Sequence, residues 1–314
     1  MMRIYIFFLL VLVLAGCGKE RIAPVWERQV SHTGFDISAV HFLDGQRGFA
    51  VGGNSWYHGV ALATADGGVT WVADSLGDKQ LFALDFNDQG EGVAAGIDGY
   101  VFSCKEQETD WDFYRYTIWE IYRGAAHSGK STLLVGGQAY KSGILVRVDE
   151  DFQFDTSTQF DVELDAVGFA DEQVAIAVGY GLVLRSEDGG RSWAPLPVDG
   201  DHFRAIHFPS ASVGYIAGYA GTILKTVDGG KTWKKLRNGG DIWQSNIPFR
   251  SVFFKDEETG YLAGEKGVVW KTVNGGEDWI VLDGLPELDY YDVHVIGDEG
   301  WLVGEQGAII HFRD

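Results

Sequence analysis

Thr226-Val-Asp228-Gly229-Gly230-Lys-Thr-Trp233 decides the fold, because the chain says nearly the same thing three more times. The other copies are Thr64-Ala-Asp66-Gly67-Gly68-Val-Thr-Trp71, Ser186-Glu-Asp188-Gly189-Gly190-Arg-Ser-Trp193 and Thr272-Val-Asn274-Gly275-Gly276-Glu-Asp-Trp279. A motif recurring about every 40 residues is the signature of a repeat architecture. Two weaker copies end at Trp111 and Phe152, and a further tryptophan, Trp26, stands near the start. The series advances in steps of roughly 40 to 46, so its next member would fall near residue ~319, beyond Asp314. One unit is short of an end.

Each unit reads as three strands, the motif, and a fourth strand. Before Trp233 come Arg204–Phe208, Gly214–Gly218 and Gly221–Thr226, short apolar or alternating runs bounded by glycine. Asp-Gly-Gly is a hairpin signal. Four-stranded units at this period are the blades of a β-propeller. Seven middle strands are marked by closing glycines at Gly52, Gly96, Gly136, Gly179, Gly218, Gly264 and Gly304. The seventh unit lacks its fourth strand, and Val25-Trp26-Glu27-Arg28 is free to supply it. An all-β, seven-bladed propeller closed by its N-terminal strand leaves no long edge exposed. Trp26 would then take the place of the seventh hairpin tryptophan.

The repeated motif has a structural explanation. Paired glycines allow positive φ in a tight hairpin, the aspartate can bond to turn N–H groups, and tryptophan is a large plug between blades. Asp66, Asp188, Asp228 and Asn274, with Trp71, Trp193, Trp233 and Trp279, are spread around the ring. Groups so far apart cannot converge on one substrate.

The ends and the composition bound the class. Arg3 is followed by an apolar run from Ile4 to Val13 and then Leu14-Ala-Gly-Cys17. The run is shorter than the ~20 residues of a membrane-spanning helix and fits a secretory signal. Its last four residues match the lipobox of bacterial lipoproteins, which implies cleavage before Cys17 and lipidation of its thiol. The expected organisation is a signal peptide over 1–16, a lipid-anchored tether over 17–23 and the propeller over 24–314. Gly18 carries no inner-membrane retention signal, which directs the expectation within the cell envelope to the outer membrane. Cys104 remains the one free thiol, so no intramolecular disulfide is expected. It aligns with Thr226 and Ser186, a buried third-strand position. The formal charge of −20 argues against nucleic acid and against adsorption to anionic headgroups. The acyl anchor is left as the membrane attachment.

The unit intact at 214–233, Gly-Tyr-x-Ala-Gly-x-x-Gly-Thr-Ile-Leu-Lys-Thr-x-Asp-Gly-Gly-Lys-Thr-Trp, resembles the Asp-box (BNR) repeats of the photosystem II stability/assembly factor family. The pattern returns at 260–279 and more loosely at 175–193, and its repeats run through the whole mature chain. The resemblance implies a seven-bladed propeller that acts as an assembly scaffold without catalysis, through an arginine-rich surface patch. Arg204 and Arg250, at the start of the first strand of their blades, resemble that patch. The corresponding residues elsewhere read as Ser38, Phe82, Trp119, Asp165 and Tyr291.

A second reading stays open. Asp boxes also occur in sialidases and some β-glucanases, so a glycoside hydrolase or carbohydrate-binding propeller is the alternative. Hydrolysis needs two carboxylates at a defined separation, and among 45 acidic residues a pair can always be nominated. A sialidase further needs three converging arginines and a tyrosine–glutamate pair. His41, His207 and His294 share one first-strand position, which makes a three-histidine metal site conceivable. Blades one and five are not neighbours, so packing or channel-lining histidines are expected, with no metal and no cofactor. His127-Ser-Gly-Lys-Ser131 lacks the spaced first glycine and following helix of a phosphate loop and reads as a turn.

The partner-binding face can also be anticipated. Each blade should begin with its innermost strand on one face, here the strand-start face, while the Asp-box hairpins fall on the other. The longest deviations lie on the strand-start face: Asn54–His58 with Trp56 and Tyr57, Gln138–Ser142 with Tyr140, and Asn238–Pro248 with Trp243. Trp119, Arg204, Arg250 and Tyr291 would join them around the channel mouth. Tryptophan, tyrosine and arginine are enriched at binding hot spots, and loops on a rigid scaffold carry function. A monomer that presents this face to a protein or glycan partner is expected.

Overall fold

A computed structural model describes residues 19–74, 76–105, 110–138, 141–198, 200–241 and 243–314. Seven sheets follow one another in chain order. The first strands of the blades are Asp36–Phe42, Leu81–Phe86, Tyr122–His127, Leu164–Phe169, Phe203–His207, Phe249–Phe254 and Tyr290–Ile296. Six blades draw their four strands from consecutive sequence. The seventh is completed from the N-terminus: Val25–Gln29 pairs antiparallel to Ile309–Arg313, with Trp26 opposite Phe312 and Gln29 opposite Ile309. The expected architecture and its closure are both observed.

Apolar side chains gather in seven clusters, one for each junction between neighbouring blades. Trp71, Trp111, Trp193, Trp233 and Trp279, with Phe152, each pack into the junction before their own blade. Trp26 departs from this pattern. The junction between blades six and seven is filled by Tyr261 and Phe312. Trp26 stays 40% exposed and donates its indole N–H to the Gly284 carbonyl at 2.8 Å. It holds the register position of a hairpin tryptophan and does not do the same job.

The Asp boxes are self-contained hairpins. In blade five, Asp228 accepts from the Thr232 backbone N–H at 2.9 Å and its hydroxyl at 2.6 Å, while the Thr226 hydroxyl bonds to Asp228 at 2.7 Å. Desolvation acts upward on this carboxyl, but those hydrogen bonds hold it down at about 2. Blade six exchanges the chemistry: Asn274 replaces the aspartate, and its amide donates to Asp278, which stands where threonine was. Gly229 and Gly230 adopt φ of 68° and 75°, the region only glycine enters freely.

The closing glycines have a different cause. A Cβ on Gly264 would lie 2.2 Å from the Pro248 carbonyl, and one on Gly96 would lie 2.1 Å from that of Gln80. The innermost strand begins directly against the end of the second strand, and no side chain fits between. Opposite each of these glycines the first strand bulges. The register slips between Ile37 and Ala39, Leu81 and Ala83, Tyr122 and Gly124, and Leu164 and Ala166. It slips again between Phe203 and Ala205, Phe249 and Ser251, and Tyr290 and Asp292. A bulge re-aims one side chain, and this ring of bulges positions the candidate site.

One element was not anticipated. Arg21–Ile22 lies parallel to Val281–Leu282 as a fifth strand on blade six. The expected tether is therefore bonded to the propeller body well before Val25.

Candidate functional site

The residue left over by each bulge is Ser38, Phe82, Arg123, Asp165, Arg204, Arg250 or Tyr291, and all seven line the mouth of the central channel. The register corrects one position. Blade three contributes Arg123, not Trp119, so the channel mouth carries three arginines. Arg123 precedes Phe152 by 29 residues, the same interval that separates Arg204 from Trp233 and Arg250 from Trp279.

The three guanidinium groups are set on carboxylates. Arg123 pairs with Glu163, and Arg250 pairs with Glu265 through Nη2 and through Nε at 3.1 Å. Arg204 Nη1 lies 3.3 Å from Asp165 Oδ1. That contact falls short of a hydrogen bond, since Asp165 Oδ1 is a buried oxygen with no hydrogen-bond partner. The Glu163 and Asp165 side chains are only 3% exposed, against 22–30% for the three arginines. The acids lie beneath and the guanidiniums face the mouth. Burial, and then the nearby Arg250 and Arg123, push the Arg204 pKa down, while Asp165 opposes the shift. Aromatic faces complete the cradle: Arg123 stands 5.5 Å from the Phe82 ring centroid, and Arg250 stands 5.5 Å from that of Tyr291. Such an arrangement fixes cationic forks in place with donors left to receive acidic groups.

The mouth opens into a channel cavity of about 1160 Å³, whose lining below the arginines includes His41, His207, His294 and Phe253. His41 and His294 are in ring contact at 4.6 Å, and Phe253 bridges His294 to His207 at 4.5 and 4.7 Å. The three histidines thus belong to one aromatic arc, although blades one and five are not adjacent. Desolvation, with a like-charge contribution from His207, lowers His41 to about 4, and desolvation lowers His207 to about 4. Among the described residues no group of three or more ligating side chains could hold a metal ion. Desolvation raises Asp85 to about 7 and Asp292 to about 6. Each carboxyl ties neighbouring blades, Asp85 to the His127 N–H at 2.8 Å and Asp292 to the Val40 N–H at 3.0 Å and the Ser251 hydroxyl at 2.7 Å.

The other expected binding residues are dispersed. Trp56 and Trp119 meet at 5.7 Å. Trp119 adopts φ of 71°, unusual for a bulky residue, and Asp98 holds its N–H at 3.0 Å. Tyr57 is 76% exposed and Trp243 is 88% exposed. None of these four lines the channel mouth. Tyr140 and Cys17 lie outside the described residues. Cys104 is buried, and His127–Ser131 forms the turn between two strands of blade three.

Residues 195–288 match the family described as photosynthesis system II assembly factor YCF48. The chain is similar to the photosystem II assembly factor propellers. A solved structure described as YCF48 bound to D1 peptide superposes with a TM-score of 0.69 at 17% identity, covering 95% of this chain and 100% of that one. YCF48 from Cyanidioschyzon merolae gives 0.69 at 15% identity, with 92% and 98% covered. The WD40 repeats of RRP9 give 0.73 at 11% identity, with 94% and 99% covered. At such identities the structural likeness shows the propeller fold. No curated protein matches the chain.

Proposed function

We propose that this assembly factor-like propeller is a non-enzymatic docking scaffold, whose strand-start face receives acidic groups of a protein partner on Arg123, Arg204 and Arg250. The observation that carries the reading is the ring of bulges, which sets three carboxylate-backed guanidiniums at one channel mouth. The relative described as bound to D1 peptide supports a peptide as ligand. Cys17 carries lipid in this reading and holds the scaffold at a bacterial membrane, in the cell envelope. Among the described residues no helix is long and apolar enough to cross a membrane. Titration of the chain with an acidic peptide and with a basic peptide of the same length tests the reading. Saturable binding of the acidic peptide alone, lost in R123A/R204A/R250A, supports it. Equal binding by the variant contradicts it.

One observation favours a glycoside hydrolase enough to keep it as a second reading. Three arginines share the mouth with Tyr291, whose hydroxyl meets Asp36 at 3.3 Å. Burial, and then the Asp36 charge, push the phenol up to about 12, which opposes its use as a nucleophile. Turnover on a glycan panel that is lost in Tyr291→Phe would establish this reading over the first.

A further inference from the structure

We infer that the propeller edge at blades five and six lies against the phospholipid bilayer, with Trp243 seated at the membrane–water interface. The inference rests on the anchoring of Cys17 proposed above. Lys19 is the second residue after Cys17, and it is already fixed to the body of the protein. Its Nζ stands 3.0 Å from the Trp270 ring centroid, and Arg237 approaches the same ring at 5.8 Å. Desolvation, and then the Arg237 charge, lower the Lys19 ammonium to about 8, as a lodged side chain requires. The Glu20 carbonyl accepts from Val281 N–H at 2.9 Å, the Ile22 carbonyl accepts from Asp283 N–H at 2.7 Å, and Arg21 pairs with Asp283 at 2.9 Å.

Two residues of chain span at most about 7 Å. A lipid on Cys17 therefore has no slack to suspend the propeller at a distance. Whatever surrounds Lys19 must stand at the headgroups. What surrounds it is suited to that position. Arg237 bonds to the Ser245 carbonyl, two residues beyond Trp243. Trp243 is the most exposed large apolar side chain among the described residues, at 88%. An indole in water gains by moving to the interface, where its ring is shielded and its N–H stays wet. The outer strand Lys234–Arg237 of blade five adds three cations in four residues, on a chain whose net charge is −20. Of the acids nearby, Glu277 pairs with Lys234, Asp283 pairs with Arg21 and Asp241 accepts the Trp243 backbone N–H, while Glu20 stands between Lys19 and Arg21. The net acidity of the protein does not extend to this edge.

The test places a nitroxide at Trp243→Cys in the full chain, lipidated in cells and reconstituted in phosphatidylethanolamine–phosphatidylglycerol vesicles. A matching label at Thr158→Cys, exposed on the outer strand of blade three, serves as the distant control. The ratio of collisions with oxygen to collisions with a water-soluble nickel chelate should be several-fold higher at 243 than at 158. Mass analysis of the N-terminal peptide reports the lipid on Cys17 in the same preparation. Lipidated, vesicle-bound protein with equal nickel access at both sites overturns this inference and leaves the anchor standing. A preparation without lipid overturns the anchor, and the inference with it.

Discussion

Gln29 joins the last blade to the first. It donates from Nε2 to the Gly67 carbonyl at 3.0 Å and accepts the Trp71 indole N–H at 3.0 Å. The N-terminal strand therefore does more than cover an edge: it bolts the closing blade to the Asp box of its neighbour. Other blades use a third-strand cation for the same purpose. Arg147 reaches the Gly189 carbonyl at 2.8 Å, Arg185 that of Gly229 at 3.1 Å, and Lys225 that of Gly275 at 2.9 Å.

Replacing Gln29 by Ala should therefore cost stability that an exposed neighbour does not. The Trp301 indole still reaches the Gly67 carbonyl at 3.2 Å, so the orphaned group is the buried Trp71 N–H. An unsatisfied donor of this kind costs about 1–3 kcal/mol. Thermal melting should show the loss in Gln29→Ala and almost none in Glu27→Ala. Equal melting of the two variants would show that closure does not depend on this bolt.

Gly264→Ala tests the origin of the bulges. The added Cβ meets a backbone carbonyl at 2.2 Å, which no rotamer relieves. The expected loss is about 3 kcal/mol or more, with partner binding weakened because Arg250 leaves its bulge. Chemical denaturation measures the first effect. A fully stable variant would mean that the strand ends can separate freely.

The channel makes stability depend on pH in two opposed ways. The buried histidines stay neutral when folded and bind protons when unfolded below about 6.5, so their share is lost as pH falls from 6.5 toward 4. Asp85 and Asp292 hold their protons when folded up to about 7 and about 6 and release them when unfolded above about 4. Their share is complete below pH 4 and is lost as pH rises. The two partly cancel between about pH 4 and 6.5. Asp85→Asn should therefore melt with a steeper rise in stability toward neutral pH than wild type, and His207→Gln with a shallower one. Parallel profiles for all three proteins would contradict these titrations.

The architecture was legible because three Asp-Gly-Gly hairpins, one Asn-Gly-Gly hairpin and a closing glycine in each of the seven units mark fixed points along the repeat. The site was half legible. Arg204 and Arg250 each precede the tryptophan of a strong motif by 29 residues, and Arg123 precedes Phe152 by the same 29, although its hairpin lacks the glycine pair that makes the motif easy to see. A bulge near the start of every first strand leaves no mark in composition, and the sequence reading puts Trp119 in the place that Arg123 holds. The arc from His41 through His294 and Phe253 to His207 depends on which rings face across the channel. The docked strand Arg21–Ile22 is two residues long, too short for any periodicity to reveal.

The arginine mouth is the central claim, and binding to an immobilised array of acidic, neutral and basic peptides tests it most directly. Wild type should favour acidic sequences, with affinity falling as salt rises. Arg123→Ala alone should weaken capture about as much as Arg204→Ala or Arg250→Ala, and the triple variant should lose it while still folded at the assay temperature. Its melting temperature should be lowered, because the buried Glu163 and Asp165 lose these arginine partners. Capture that is indifferent to all three arginines, or that is abolished instead by changes on the Asp-box face, would contradict the account.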